Sequence, residues 1–216
     1  MQTIEKCFIN LISKHTDNDA IMQMFWLELK EKYSSKSRHY HNLSHIAELL
    51  HFFFEFEHLL VKKDIVLFAI FYHDIVYDVK KKNNEEKSAE LAKLRMKELN
   101  IQANDANLCY NYIVATKSHE TMFADPDLAY FLDFDLAILG KDWIGYSEYT
   151  EKVRKEYSIY PNVLYKKGRK KALNNILEND RIYKTEDFFR KFEKQARKNI
   201  KKEIDELSNY SGRWFR

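Results

Sequence analysis

Residues 64–78 read DIVLFAIFYHDIVYD, and this stretch decides what kind of fold the chain can form. The eight residues after Asp64 are all apolar, so a helix over 65–77 that Asp64 caps would be apolar on nearly all its faces. Such a helix usually lies at the centre of a helical fold. His73 and Asp74 end the apolar run, and polar groups buried at such a place need partners.

The composition around this stretch favours an all-α fold. The chain has 216 residues, of which 45% are hydrophobic and 15% aromatic, so it is globular and can bury a core. Its 4 glycines and 2 prolines are too few for all-β turns or Gly-rich phosphate loops. We therefore expect an all-α fold, with one domain over 1–216 and about 8–10 helices. Its core is expected at about 20–200, with a C-terminal helix, 186–208, packed on it.

Helical spacing of apolar residues and capping signals give the expected elements. Asp125-Pro126 is a helix start with Pro at the first helical position, and Gly140 is a helix stop. Asn84 and Thr185 are further capping candidates. The expected helices cover about 3–14, 19–33, 43–60, 65–77, 85–99, 105–118, 126–139, 146–159, 162–179 and 186–208.

The net charge and the spacing of the cysteines indicate which partners and which compartment to expect. The net charge of +3 comes from 36 basic and 33 acidic residues and does not indicate a nucleic-acid partner. The basic run 166–171 fits a solvated helix start or a phosphate contact. Cys7 and Cys109 stand in no metal-type spacing, which predicts a reduced, cytoplasmic chain. Residues 1–15 lack a cleavable signal pattern, and no apolar run reaches the roughly 18 residues of a transmembrane helix, so no membrane partner is expected.

A second cluster of metal-binding residue types lies upstream, in the sequence HNLSH at 41–45. If both histidines are helical, His41 and His45 share one face. If Asn42 is the N-cap instead, His41 lies just outside the helix and is freer to act as an acid. On a regular helix His73 and Asp74 point about 100° apart, yet both can reach one ion near the helix end. Imidazole with carboxylate suits Zn, Mn, Fe or Ni better than Ca.

Taken together, these motifs resemble the HD superfamily of metal-dependent phosphohydrolases, which has the order His…His-Asp…Asp on a helical chain. The resemblance implies a single-domain HD-type helical bundle with a metal site between central helices. The segment RHYHNLSHI is similar to the His-Asn-x-x-His signature of the distantly related cyclic nucleotide phosphodiesterases. The other segments resemble a small family described as predicted HD phosphohydrolases, and the likeness covers roughly 20–200. The segments are RHYHNLSHI at 38–46, FYHDIVYD at 71–78, NEEKSA at 84–89, IVATKSH at 113–119 and FLDFDLAILG at 131–140.

The resemblance implies a divalent metal ion (Mn, Fe, Ni, Zn or Mg) held by His45, His73, Asp74 and Asp135. Asp133 is the rival for the last position. Because superfamily members usually place the ligand second in an Asp-x-Asp pair, Asp135 is preferred, and Asp133 is otherwise an exposed or capping carboxylate. No further His follows in the His-Asp helix, so a second metal site of the phosphodiesterase type is not implied.

The resemblance also implies roles around the ion. His41 matches the phosphodiesterase residue that protonates the leaving group, or else it fixes its own loop; it is also a second-site candidate, as Asp133 is. Glu85 or Glu86 would orient water or support a ligand His, or simply begin a helix. Lys117 is a candidate phosphate contact. His119 would bind a second metal or the substrate, or lie on a surface loop.

The function implied is hydrolysis of a phosphate ester or nucleotide-type substrate through a metal-activated water. Two other readings stay open: a non-catalytic metal- or nucleotide-binding module, and a di-iron oxygenase. The oxygenase would draw its six ligands from His41, His45, His73, Asp74, His119 and Asp135. The partner expected is a small phosphorylated molecule, and neither its identity nor the oligomeric state follows from the sequence.

Overall fold

The computed structural model describes residues 3–120 and 124–209, and over these residues the chain is helical, with no strand. The expectation of an all-α fold is therefore confirmed. Ten α-helices and two short 3-10 helices occur in the described residues. The chain divides into two compact units, Met1–Asp135 and Leu136–Arg216. The single-domain organisation and the packing of the last helix on a common core stay predictions.

The first unit holds helices α1 to α7, although α7 ends at Leu136, one residue beyond the end of the unit. The helices are α1 (Ile4–Ile12), α2 (Asp19–Tyr33), α3 (Leu43–Phe56), α4 (Lys63–Tyr72), α5 (Asn84–Glu98), α6 (Ala103–Ala115) and α7 (Pro126–Leu136), with a 3-10 helix at Glu57–Leu59 after α3. The second unit holds a 3-10 helix at Ala137–Gly140, α8 (Trp143–Glu156), α9 (Asn162–Glu178) and α10 (Glu186–Ser208).

Helix α4 is the centre of the first unit, as its apolar run predicts. All its residues from Ile65 to Tyr72 are buried, and it packs against α1, α3, α5 and α6. It begins at Lys63, so Asp64 lies in its first turn and does not cap it. The cap comes from far along the chain: the Asp127 carboxylate accepts hydrogen bonds from the main-chain N–H groups of Val61 (2.9 Å) and Lys62 (2.5 Å).

The regular part of α4 ends at Tyr72, before the expected end at 77. The Tyr33 hydroxyl donates to the Phe71 carbonyl at 3.1 Å and accepts from the Asp74 N–H at 3.3 Å. The Arg38 guanidinium donates to the carbonyls that follow. These bonds satisfy main-chain groups that a longer helix would have paired internally. The chain therefore turns at His73 and Asp74.

Helix α7 begins as the sequence predicts. The Asp125 carboxylate accepts from the N–H groups of Asp127 (2.9 Å) and Leu128 (3.3 Å), and Pro126 is the first helical residue. The α-helix ends at Leu136, three residues before the expected end, and the 3-10 helix continues to Gly140.

In the second unit, α10 packs against the 3-10 helix and against α9. The Thr185 hydroxyl caps α10, as expected, by accepting from the Phe188 N–H. The basic run 166–171 lies inside α9 and not at its start. Its Arg169 is turned inward, where it pairs with Glu203 at 2.8 Å. Among the helices that the structure describes, none is both long and apolar enough to cross a bilayer.

Candidate metal centre

Three elements of the first unit bring His45, His73 and Asp135 together. Asn42 is the N-cap of α3, since its side-chain oxygen accepts from the Ser44 N–H at 2.8 Å. His45 consequently lies in the first turn of α3, while His41 lies outside the helix. His73 is the C-cap of α4, and Asp135 lies near the end of α7.

The ligand atoms of these three residues converge. His45 Nε2 lies 3.2 Å from His73 Nε2 and 3.1 Å from Asp135 Oδ1, and His73 Nε2 lies 3.8 Å from the same oxygen. Around an ion with bonds of roughly 2.0–2.2 Å, ligand atoms at right angles lie about 2.8–3.1 Å apart. The three ligand atoms all lie within 4.8 Å of one another. We call this group the His45–His73–Asp135 cluster.

Asp74 is a neighbour of the cluster. Its Oδ2 lies 3.3 Å from His73 Nε2 and 4.0 Å from His41 Nε2. Because α4 has already ended, the angular separation of a regular helix does not hold the Asp74 side chain away from that of His73. One oxygen of Asp74 therefore lies beside the cluster, next to the imidazole of His41.

Hydrogen bonding decides which nitrogen His73 offers. Its Nδ1 lies 2.9 Å from the carbonyl oxygen of Ile70, which can only accept, so the proton is on Nδ1. In the neutral ring, Nε2 then directs a lone pair at the cluster. The Nδ1 atom of His45 is buried and has no hydrogen-bond partner among the described residues, so its Nε2 makes the polar contacts of that ring.

Burial and neighbouring polar or charged side chains shift the pKa values of residues at the cluster. Burial tends to raise the pKa of Asp135, but hydrogen bonds from His119 and His45 hold it well below its usual range. Burial likewise opposes the ionisation of Asp74, but the adjacent His73 and His41 lower its pKa. Burial lowers the pKa of His73, but Asp74, Asp135 and the Ile70 carbonyl together raise it from 6.5 to about 9. Two ionised carboxylates in a buried place thus favour a cation beside them.

His119 lies at the cluster and not on a free surface loop. It follows α6 by one turn, and its Nε2 lies 2.9 Å from Asp135 Oδ2. The Asp135 carboxylate thus uses one oxygen toward His45 and the other toward His119. The side chain of His119 is 26% exposed, so it lies at the edge of the buried group.

The remaining predicted residues lie at the rim or elsewhere. The His41 ring is half-buried and stacks against Tyr77, with 4.5 Å between centroids. Lys117 is exposed and pairs with Glu86, and it also donates to the carbonyl of Lys82 at 2.8 Å. This ion pair raises the pKa of Lys117 and lowers that of Glu86. Lys117 is therefore bound to a carboxylate rather than free to meet a phosphate.

Glu85 is half-buried at the start of α5. Burial raises its pKa, and the negative charge of Asp74 adds to the shift. Asp133 differs from the exposed or capping carboxylate that one reading expected, because it is fully buried. Asp133 lies two residues before Asp135 in α7, so its side chain points to a different side of the helix. It does not belong to the cluster.

No role was predicted for Arg38, yet its guanidinium is central to the geometry. This arginine is 7% exposed and donates to the main-chain carbonyls of His41 (3.1 Å), Asp74 (2.6 Å) and Ile75 (2.8 Å). Its guanidinium also lies against the Tyr33 ring, 4.8 Å from the centroid. Arg38 opens the segment RHYHNLSHI, but a partnership with distant carbonyls leaves no pattern in a sequence.

Comparison with known proteins returns no relative. No family model matches the chain, and neither a curated protein nor a solved structure matches it.

Proposed function

We propose that the chain is a metal-dependent phosphohydrolase of the HD type that acts on a phosphate ester or nucleotide-type substrate. The observation that carries the proposal is the convergence of His45, His73 and Asp135, with Asp74 at their edge. These residues come from three separated elements and follow the order of the HD motifs. Nothing in the local pairing of helices requires two histidines and two carboxylates to meet in a buried place, where each has a desolvation cost.

The donor set fits a first-row divalent ion. His45 and His73 would offer Nε2, and Asp135 and Asp74 would each offer one carboxylate oxygen. Mixed nitrogen and oxygen ligands favour Mn, Fe, Ni or Zn, while Mg prefers oxygen and water. When bound there, such an ion would polarise a phosphoryl oxygen and lower the pKa of a water molecule.

The side chains at the rim supply the proton chemistry. His41 lies beside Asp74 with its ring fixed on Tyr77, where it can donate a proton to the leaving oxygen. Glu85 has a raised pKa, which suits a carboxylate that accepts a proton from a water molecule. Lys117 remains the proposed phosphate contact, on the condition that a phosphate oxygen replaces Glu86 as its partner.

Elemental analysis and a phosphate-release screen across nucleotides and simple phosphomonoesters, with Mn, Ni or Mg, test the proposal. We expect about one ion per chain in the purified protein and release of phosphate from at least one substrate class. Asp135→Asn should lose metal affinity by about 10–100-fold or more, because a neutral amide replaces an anionic ligand. Asp105→Asn is the matched control, since that carboxylate forms a surface pair with Lys62 and should leave metal content unchanged.

Asp74→Ala tests the fourth ligand separately. We expect it to abolish both metal content and turnover. Full metal occupancy in this variant would remove Asp74 from the ligand set, while a protein that binds an ion but hydrolyses no substrate would be a binding module. An anaerobic iron titration followed by electron paramagnetic resonance separates the oxygenase reading, which requires a mixed-valent pair.

A further inference from the structure

His119 has a left-handed backbone conformation, which is uncommon for residues other than glycine. Its φ is +53°, and the other described non-glycine residue with a positive φ is Asn100, at +56°. Both follow a helix end. Asn, Asp and His are the non-glycine residues enriched in the left-handed region, and Asn is a known residue at helix ends. A strained residue of this kind persists where the surrounding structure over-determines it, and such residues cluster at functional sites.

The turn places the His119 imidazole on Asp135. The His119 N–H donates to the Ala115 carbonyl at 2.8 Å, which closes the end of α6. His119 Nε2 then meets Asp135 Oδ2 at 2.9 Å, while Asp135 Oδ1 faces His45. An ionised carboxylate can only accept, so the proton of this hydrogen bond lies on His119 Nε2.

We infer that His119 is a positioning residue, which holds the Asp135 carboxylate so that its Oδ1 faces His45 and His73, and that it is not the ligand of a second ion. His119 Nε2 contacts Oδ2 of Asp135 and not the Oδ1 that faces His45, and His119 lies outside the cluster of converging ligand atoms. Partners that orient a ligand typically change metal affinity when they are replaced. The inference deepens the proposed function and rests on it for the identity of the ligand.

A plain helix cap would not need this side chain. Asn100 follows the end of α5 in the same backbone region and is exposed. His119 and Asn100 can therefore be compared directly, since one left-handed residue lies at the site and the other lies away from it. A substitution that acts only through the backbone should affect both positions alike.

The test compares His119→Gln, His119→Ala and Asn100→Ala in the full chain, titrated calorimetrically with Mn²⁺ alone. The Gln amide nitrogen occupies the place of Nε2 and can donate to Asp135, so affinity should stay within about 3-fold of the wild type. His119→Ala should bind about 10–100-fold more weakly with an unchanged number of ions. Asn100→Ala should lower the melting temperature and leave Mn²⁺ affinity unchanged.

Three results would overturn the inference. The first is a fall from two bound ions to one in both His119 variants, which marks a ligand of a second ion. The second is a loss of affinity in His119→Gln as large as in His119→Ala. The third is an equal loss in Asn100→Ala, which would trace the effect to the backbone.

A measurement without metal keeps this inference separate from the proposed function. If the wild type takes up none of Mn²⁺, Fe²⁺, Ni²⁺ and Zn²⁺, the proposed function fails, and the side-chain nitrogen resonances of His45 in the metal-free protein decide the role of His119. His119→Ala should shift these resonances, because Asp135 is then released, and His119→Gln should leave them in place. Unchanged His45 resonances in His119→Ala would refute the positioning role.

Discussion

The buried guanidinium of Arg38 donates to the main-chain carbonyl of Asp74 across 2.6 Å, from the connection between α2 and α3 to the turn that ends α4. The same group donates to the carbonyls of His41 and Ile75. One side chain thus fixes the loop that carries the proposed acid against the turn that carries two proposed ligands. A positive charge at the C-terminal end of α4 also complements the helix dipole.

Arg38→Met should destabilise the protein by about 2–4 kcal/mol, because it leaves three carbonyls in a largely buried place without their charged donor. Arg38→Lys should cost less, about 1–2 kcal/mol, since an ammonium group keeps the charge but lacks the planar fork. Urea unfolding measures both. Lys36→Met, at an exposed position of the same connection, is the control and should change stability by less than about 0.5 kcal/mol. Equal unfolding midpoints for Arg38→Met and Lys36→Met would show that Arg38 does not stabilise the contact between the loop at His41 and the turn at Asp74.

Asp127 caps α4 from 65 residues away, and its removal should loosen the central helix. Asp127 is 2% exposed and accepts from two main-chain N–H groups. Asp127→Asn keeps the shape but turns one acceptor into a donor that faces an N–H, at a cost of about 1–3 kcal/mol. Asp64→Asn, in the first turn of α4, removes only an exposed pair with Lys14 and should cost less than about 1 kcal/mol.

Guanidinium unfolding curves of these two variants test the cap. Hydrogen exchange should also show faster exchange of the first amides of α4 in Asp127→Asn than in Asp64→Asn. If Asp64→Asn proves the more destabilising change, α4 is stabilised by its local charge and not by the distant cap.

Local signals were enough to predict the existence of the helices and several of their starts. The apolar run 65–72 predicted a central helix, and Asp125-Pro126 predicted the start of α7 through a cap that needs only neighbouring residues. The ends of α4 depend instead on Asp127 at one side and on Tyr33 and Arg38 at the other. These partners are distant in sequence, so periodicity extended the helix to 77.

The candidate site divides in the same way. The order of the motifs picked out His45, His73 and Asp135, which do meet. The side-chain contacts at the rim could not be predicted from the sequence. Lys117 pairs with Glu86 of α5, and His119 pairs with Asp135. These are tertiary contacts between side chains whose spacing in the sequence is not that of a helix or a turn.

The two cysteines should be unreactive in the folded protein. Burial raises the pKa of Cys7 to about 11 and raises the pKa of Cys109 further. At pH 8 the thiolate fraction of Cys7 is then about 200-fold below that of a free thiol with a pKa of roughly 8.5. Because the folded pKa is raised, the stability contributed by the protonated thiol is lost as the pH rises from about 8.5 through 11.

Colorimetric thiol titration with an aromatic disulfide reagent at pH 8 should therefore show slow reaction in buffer and rapid reaction of two thiols in denaturant. Cys7→Ala should leave one thiol under denaturing conditions. Rapid reaction of either thiol in the native protein at pH 8 would mean that its helix opens readily.

Two glycines of the second unit should respond to the same substitution with opposite signs. A Cβ on Gly140 would lie 2.5 Å from Phe192 Cβ and 3.0 Å from its Cα, so the 3-10 helix and α10 would have to separate. Gly140→Ala should therefore destabilise the protein by about 1–3 kcal/mol. Gly168, inside α9, has no atom within 4 Å of an added Cβ, so Gly168→Ala should stabilise it by about 0.5–1 kcal/mol through helix propensity.

Thermal unfolding of the two single variants and of the double variant decides between these effects. The two changes lie in different contacts, so their effects should add within about 0.5 kcal/mol. A Gly140→Ala variant as stable as the wild type would mean that Phe192 moves aside at no cost, and that the close approach of α10 to the 3-10 helix does not depend on the glycine.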